Sequence, residues 1–232
     1  MNLSKCFLLF IIYSFLGWFI EVICQLINRK KYVNRGFLIG PYCPIYGFGV
    51  VFMIALLTRF LSNPILLFIM SILICSILEY FTSYVMEKMF NARWWDYSEK
   101  KYNLNGRICL NTLIPFGIGG MFVLYFINPL IMKGINLIPS NILNIISILI
   151  LILFLVDVII STNIIIGFRN VTFCEEKDNT IEITQKVKEI LKNKSKLKGR
   201  LVKSFPNLKV RQKKRKKWFF LFYWLLYKIM LI

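Results

Sequence analysis

Five long apolar runs divide this chain, and they constrain its fold more than any other feature. The runs cover residues 6–27, 45–61, 65–86, 108–127 and 142–168. A helix needs about 20 predominantly apolar residues to cross the hydrocarbon core of a bilayer. Because hydrophobic residues also make up 57% of the chain, we expect an all-α fold: a polytopic transmembrane helix bundle of about five spans within residues 1–168.

The basic residues predict the orientation of these spans. Four Lys or Arg residues follow the first run and five lie between the third and fourth runs, whereas the other side holds only Lys5, Arg59 and Lys133. Cytoplasmic loops of membrane proteins carry an excess of Lys and Arg. We therefore expect the N-terminus outside and the C-terminus inside. The net charge of +19 then needs no nucleic-acid partner.

The C-terminal part of the chain is polar and basic. Within residues 169–217, an amphipathic helix is predicted from the shared face of Ile183, Val187 and Ile190. The run KKRKK precedes an aromatic stretch at residues 218–232. That stretch is short for a span, so we expect an interfacial segment held by aromatic side chains and anionic inner-leaflet lipids. A short sixth span is the alternative.

Three acidic residues lie inside the apolar runs: Glu21, Glu79 and Asp157. A charge in hydrocarbon is costly unless it is paired or faces a wet cavity. We expect Arg35, Arg93 and Arg107, at the cytoplasmic boundary, to be the available partners. Two interpretations remain open: static contacts between helices, or carboxylates that line a pathway or carry protons.

Two loops carry a second signal. Glycines and prolines prevent regular helix between Gly36 and Pro44, and such broken backbone near the membrane often lines a cavity. The other loop carries four aromatic residues, which are typical of an interfacial belt, and three charged residues that could form ion pairs. The aromatic residues are Trp94, Trp95, Tyr97 and Tyr102, and the charged residues are Arg93, Asp96 and Arg107.

Catalytic and metal chemistry find little support in the sequence. The chain has no histidine, and its six cysteines form no CxxC pair, so we expect no metal and no cofactor. An intramembrane enzyme acting on lipid through Glu21 or Glu79 would lack a recognisable nucleophile and base. We expect no enzymatic activity of the chain itself.

The first and third apolar runs resemble each other at an offset of 62 residues, which places Ser14 on Ser76 and Trp18 on Tyr80. Each run has an acidic residue, each is followed by a basic aromatic loop, and each loop leads into a helix through Pro and Gly. This order predicts a parallel repeat of two helix pairs.

A family resemblance rests on YSFLGWFIEV, NRGFLIGPYCPIYGFG, LEY, RWWDYS and LNGRICL. With these motifs the chain resembles the bacterial membrane family catalogued as putative ABC-transporter type IV, over about residues 8–130. The resemblance and the membrane arguments together give the candidate cavity or functional residues. These are Trp18, Glu21, Asn34, Arg35, Gly36, Pro44, Tyr46, Glu79, Trp94, Trp95, Asp96, Arg107 and Asp157.

The resemblance implies a permease subunit of an ATP-driven transporter in the bacterial cytoplasmic membrane. The sequence has no GxxxxGK[ST] motif, so the ATPase is expected on a separate chain. Five spans are few for a complete pathway, and a homodimer would supply more. The alternative is a non-transporting membrane protein that binds lipid or a regulatory partner.

Overall fold

The structure, a computed structural model, describes residues 2–30, 34, 36–90, 92–172 and 209–210. Arg35, the tail helix predicted around Ile183 to Ile190, and the aromatic segment 218–232 lie outside the described residues. The described residues include the apolar part of the chain and most of its loops.

The described residues form an all-α bundle with two very small sheets, as the sequence predicts. The helices are α1 (Leu3–Arg29), α2 (Pro44–Leu57, continued by a 3₁₀ turn Thr58–Phe60), α3 (Pro64–Phe90), α4 (Leu110–Phe122), α5 (Asn128–Asn136) and α6 (Ser140–Thr172). The strands are β1 (Ala92–Arg93), β2 (Asn103–Leu104), β3 (Ile108–Cys109) and β4 (Lys209–Val210). Strand β1 pairs antiparallel with β4, and β2 pairs antiparallel with β3.

Proline and left-handed backbone mark where several helices begin and end. Pro44 opens α2 and Pro64 opens α3, positions where the missing proline N–H costs no helical hydrogen bond. Helix α1 ends where Lys30 adopts φ 51° and donates its N–H to the Leu26 carbonyl, which is a left-handed C-terminal cap.

The fourth apolar run forms a longer helix than the expected 108–127. A π-helical turn at Val123–Ile127 joins α4 to α5, so the helical stretch continues to Asn136. Pro129 follows this turn and lacks the N–H that an α-helical bond would need, which favours a local widening of the helix. The Tyr125 hydroxyl in the turn donates to the Leu61 carbonyl at 2.7 Å and ties it to the end of α2.

The bundle is built from two helix pairs. Helix α1 packs mainly on α2, and α3 packs mainly on α4. Helix α2 also packs on α3 and so joins the pairs, while α6 contacts both α1 and α3. Burial of apolar side chains between these helices holds the core together. Its fully buried members are Leu9, Leu57, Leu67 and Leu143.

Four helical stretches are long and apolar enough to cross a membrane: Leu3–Asn28, Pro64–Met89, Leu110–Asn136 and Ser140–Ile164. The apolar helix Pro44–Phe60 is shorter. In α6 only 11% of the apolar window is buried inside the protein. Its Ile, Leu and Val side chains are therefore suited to face lipid, and the chain is a membrane protein.

Both loops lie at one end of the bundle. The first connects α1 to α2 and the second connects α3 to α4. Their rings meet, since Phe37 lies edge-on to Trp94 with centroids 5.8 Å apart. We call this end, formed by residues 36–43 and 92–109, the loop end. At the opposite end Lys5 donates to Asn136 at 2.8 Å.

Candidate functional site at the loop end

Asp157 of α6 holds the first loop by its backbone. The Ile39 N–H donates to Asp157 Oδ1 at 3.1 Å, and the Gly40 N–H donates to Oδ2 at 2.8 Å. The Ser161 hydroxyl donates to Oδ1 at 2.8 Å. Irregular backbone near a membrane must find such partners. Burial, followed by the charge of Asp157, raises the pKa of Tyr42 in the same loop, so that phenol stays protonated at neutral pH.

Asn34 fastens the first loop to α1. Its Oδ1 accepts from the Trp18 indole N–H at 2.8 Å and from the Gly36 N–H at 3.2 Å. Its Nδ2 donates to the Ile39 carbonyl at 3.2 Å. One amide thus joins the helix to two points of the loop, which only a side chain with both donors and an acceptor can do.

Glu21 meets α2 through Tyr46. The Tyr46 hydroxyl donates to Glu21 Oε1 at 2.7 Å. Gly17 lies one helical turn before Glu21, and a Cβ there would overlap the Tyr46 ring. Glycine is therefore what lets the tyrosine lie across α1 and reach the carboxylate. A Cβ at Gly47 would likewise overlap Phe10 and the Ser14 hydroxyl, so the two helices approach closely along this seam.

A buried ion network closes the second loop. Glu87 Oε2 accepts from Arg107 at 2.8 Å and from Arg93 at 3.1 Å, and Arg93 also contacts Asp96 at 3.3 Å. Arg107 donates to the Ser83 hydroxyl at 3.1 Å. These side chains are about one-tenth exposed or less. The attraction between one carboxylate and two guanidinium groups can offset the free-energy cost of burying these charges.

The belt interpretation is wrong for Trp94. Trp94 is 4% exposed and packs on Phe37, so it cannot lie among lipid headgroups. The Trp95 indole N–H donates to the Arg107 carbonyl at 3.1 Å, inside the loop. Tyr102 alone of the four predicted belt residues is fully at the surface, at 82% exposed. Trp94 fills the loop and Trp95 braces it, and in such a dry surrounding the hydrogen bonds of the neighbouring charged groups are stronger.

Glu79 of α3 is the second carboxylate that binds a tyrosine. The Tyr97 hydroxyl donates to Glu79 Oε1 at 3.3 Å. Burial raises the pKa of Tyr97, and the charges of Glu79 and Glu21 add to the shift. Tyr97 stays protonated at neutral pH and remains a hydrogen-bond donor.

A sequence model of the family described as Putative ABC-transporter type IV matches residues 8–162. The chain belongs to this family. Searches of curated proteins and of solved structures found no match. The family match covers α1 to α5 and most of α6, together with the whole loop end.

The structure places most of the described candidate site residues in hydrogen bonds at the loop end. These bonds join Trp18 with Asn34, Glu21 with Tyr46, Glu79 with Tyr97, and Trp95 with Arg107. Asp157 joins them through the loop backbone. Gly36 is buried and Pro44 opens α2. Arg35 lies outside the described residues.

The predicted arginine partners of the carboxylates need correction. Arg93 and Arg107 bind Glu87 rather than Glu79 or Asp157. Glu87 lies eight residues after Glu79 on the same helical face, so helical spacing alone could not choose between them. Loop backbone N–H groups, which carry no sequence signal of their own, bind Asp157.

Three residues of this site were not among the candidate residues predicted from the sequence: Tyr97, Glu87 and Asn105. The Asn105 amide donates to the Tyr80 hydroxyl at 2.9 Å, and Asn105 has φ 53° beside Gly106 at φ 65°. The sequence Asn-Gly could have indicated this turn, because both residues tolerate left-handed backbone. Within the part of the chain that the structure describes, no three His, Cys, Asp or Glu side chains come together as a metal site.

Proposed function

We propose that this chain is the membrane subunit of an ATP-driven transporter whose ATPase is a separate chain. Membership of the type IV family over residues 8–162 carries the proposal. The sequence itself has no GxxxxGK[ST] motif to bind a nucleotide. The chain then supplies the path through the membrane, and a homodimer would complete that path.

The distribution of charge supports a cytoplasmic loop end, with the N-terminus outside. Lys88, Lys100 and Lys101 lie in or beside the second loop, whereas Lys5 and Lys133 belong to the other end. This is the asymmetry of bacterial cytoplasmic-membrane proteins. Anionic lipids of the inner leaflet would contact the same lysines.

The tip of the second loop is the proposed docking site for the ATPase. Tyr102 is 82% exposed and Leu104 is 55% exposed. The antiparallel pairing of β2 with β3 and the Arg107–Glu87 ion pair hold the loop against α3. A rigid loop with an exposed aromatic tip can transmit movement of a bound ATPase to α3.

Affinity purification in mild detergent from the native host tests the proposal. We expect a nucleotide-binding protein to co-purify, with ATP hydrolysis that depends on this chain. Tyr102→Ala should reduce its recovery about tenfold or more, as expected for an aromatic anchor at an interface. The matched control is Leu137→Ala, because Leu137 is 84% exposed at the opposite end.

Recovery of no ATP-binding protein, where a known transporter keeps its ATPase, would contradict the proposal. That outcome would favour the alternative, a non-transporting membrane protein that binds lipid or a regulatory partner. The run KKRKK before the aromatic segment 218–232 is the sequence feature that favours this second function.

A further inference from the structure

One carboxylate oxygen at the loop end has no hydrogen-bond partner. Glu79 is 7% exposed, and its Oε2 is buried without a partner among the described residues. Its other oxygen, Oε1, accepts only a long bond of 3.3 Å from Tyr97. Buried ionised carboxylates normally bind several donors or a cation. Glu79 has one weak donor, which is too little for a full negative charge.

The two buried arginines of the second loop bind other carboxylates. Arg107 and Arg93 share Glu87, and Arg93 also contacts Asp96. Both guanidinium groups are therefore directed to Glu87 and Asp96. Helix α4, the main packing partner of α3, has no charged residue in its sequence LNTLIPFGIGGMF.

Among the described residues, no Lys or Arg side chain forms an ion pair with Glu79. Cys75, one turn earlier on α3, is a free thiol. Glu21 of α1 accepts from Tyr46 of α2, and Asp157 of α6 is bound to the first loop. An ionised Glu79 would thus be a buried negative charge without a compensating cation, in a medium of low dielectric.

We propose that Glu79 is a proton-binding site inside the bundle, with its carboxyl group neutral at neutral pH and the proton on Oε2. Tyr97 then donates to Oε1 and closes the loop over the acid. Loss of the proton leaves a buried negative charge that accepts a single long hydrogen bond beneath the second loop. The inference rests on the contacts of α3 and does not depend on an ATPase partner.

Infrared spectroscopy of the full chain in lipid nanodiscs at neutral pH tests this directly. A protonated carboxyl gives a carbonyl band that shifts in heavy water, whereas carboxylates do not. We expect this band in the wild type and in Glu99→Gln, because Glu99 is exposed to solvent. We expect Glu79→Gln to remove it. A wild-type spectrum without the band, or a band that survives Glu79→Gln, would overturn the proposal.

Thermal unfolding measured from mildly acidic to alkaline pH gives an independent readout. The folded wild type retains a proton that its unfolded chain has released, so its midpoint should fall as pH rises relative to Glu79→Gln. The two proteins should unfold together near the pH at which free carboxylic acids are protonated. Parallel profiles, or stabilisation of the wild type by sodium or potassium that Glu79→Gln abolishes, would instead indicate an ionised carboxylate and contradict the proposal.

Discussion

The two helix pairs brace their loops with the same first contact. In the first pair the Trp18 indole donates to Asn34 at 2.8 Å, and in the second Asn105 donates to the Tyr80 hydroxyl at 2.9 Å. Trp18 and Tyr80 are the residues that the 62-residue offset aligns. An aromatic side chain with a polar tip can lie in the apolar helix and still bind a loop amide.

The helices also share a local feature at the aligned serines. Ser14 donates to the Phe10 carbonyl and Ser76 donates to the Ile72 carbonyl, each at 2.7 Å. Such bonds satisfy a hydroxyl inside an apolar helix. The arrangement agrees with the predicted parallel repeat of two helix pairs.

Beyond these contacts the two loops are held differently. The first depends on Asp157, which belongs to α6 and binds its backbone. The second is held to its own helix by Arg93, Arg107 and Glu87. A shift of α6 would therefore break contacts of the first loop and leave the ion pairs of the second loop in place. The second loop and α3 should move as one body, which suits a loop that receives force from a partner.

Glu87→Ala should have the largest effect, because it leaves two buried arginines without their shared carboxylate. We expect a loss of about 3–5 kcal/mol in the free energy of unfolding, measured by titration with SDS. Glu99→Ala, at an exposed position, should change it by less than about 0.5 kcal/mol. Equal small effects would mean that the ion network does not hold the second loop.

Asp157→Ala should separate the two loops. The Gly40 N–H is then left without a partner, which costs about 1–3 kcal/mol, whereas the Ile39 N–H retains the Ser161 hydroxyl at 3.1 Å. Amide exchange should rise most at Gly40, less at Ile39, and stay unchanged over residues 92–109. Asp157→Asn retains one acceptor oxygen and should give a smaller rise. Faster exchange in both loops at once would show that the loops are held by one shared element.

Gly17→Ala tests the close contact of α1 with α2. Because the added methyl overlaps the Tyr46 ring, we expect a loss of about 1–3 kcal/mol in the free energy of unfolding. Gly119→Ala on α4 is the matched control, since a Cβ there meets nothing within 4 Å and alanine favours helix. If Gly17→Ala leaves the free energy of unfolding unchanged, the Tyr46 ring does not pack against Gly17.

Trp18→Phe and Tyr80→Phe test the equivalence of the helix pairs. Each removes one neutral hydrogen bond to a loop asparagine, and each should cost about 0.5–1.5 kcal/mol. Asn34→Ala combined with Trp18→Phe should add little beyond the single changes, and so should Asn105→Ala combined with Tyr80→Phe. A large effect in one pair and none in the other would argue against a repeat.

Hydrophobicity made the helices predictable, because apolar runs of this length have few other stable forms. The extension of the fourth helix to Asn136 was not predictable, because a proline such as Pro129 usually indicates the end of a helix. The apolar runs placed Glu21, Glu79 and Asp157 inside the bundle, but two of the predicted partners, Arg93 and Arg107, bind Glu87 instead. The observed partners of Glu21 and Asp157 come from distant segments, and only the packing of α2 and α6 brings them within hydrogen-bond distance.

Photo-crosslinking at position 102 in living cells tests directly whether a separate ATPase binds the tip of the second loop. A photoreactive amino acid replaces Tyr102 at the tip of the second loop, and another replaces Leu137 at the opposite end. We expect a covalent adduct between position 102 and a protein that binds ATP, and no such adduct from position 137. An ATP-binding protein captured from position 137, or adducts from position 102 with lipid alone, would contradict it.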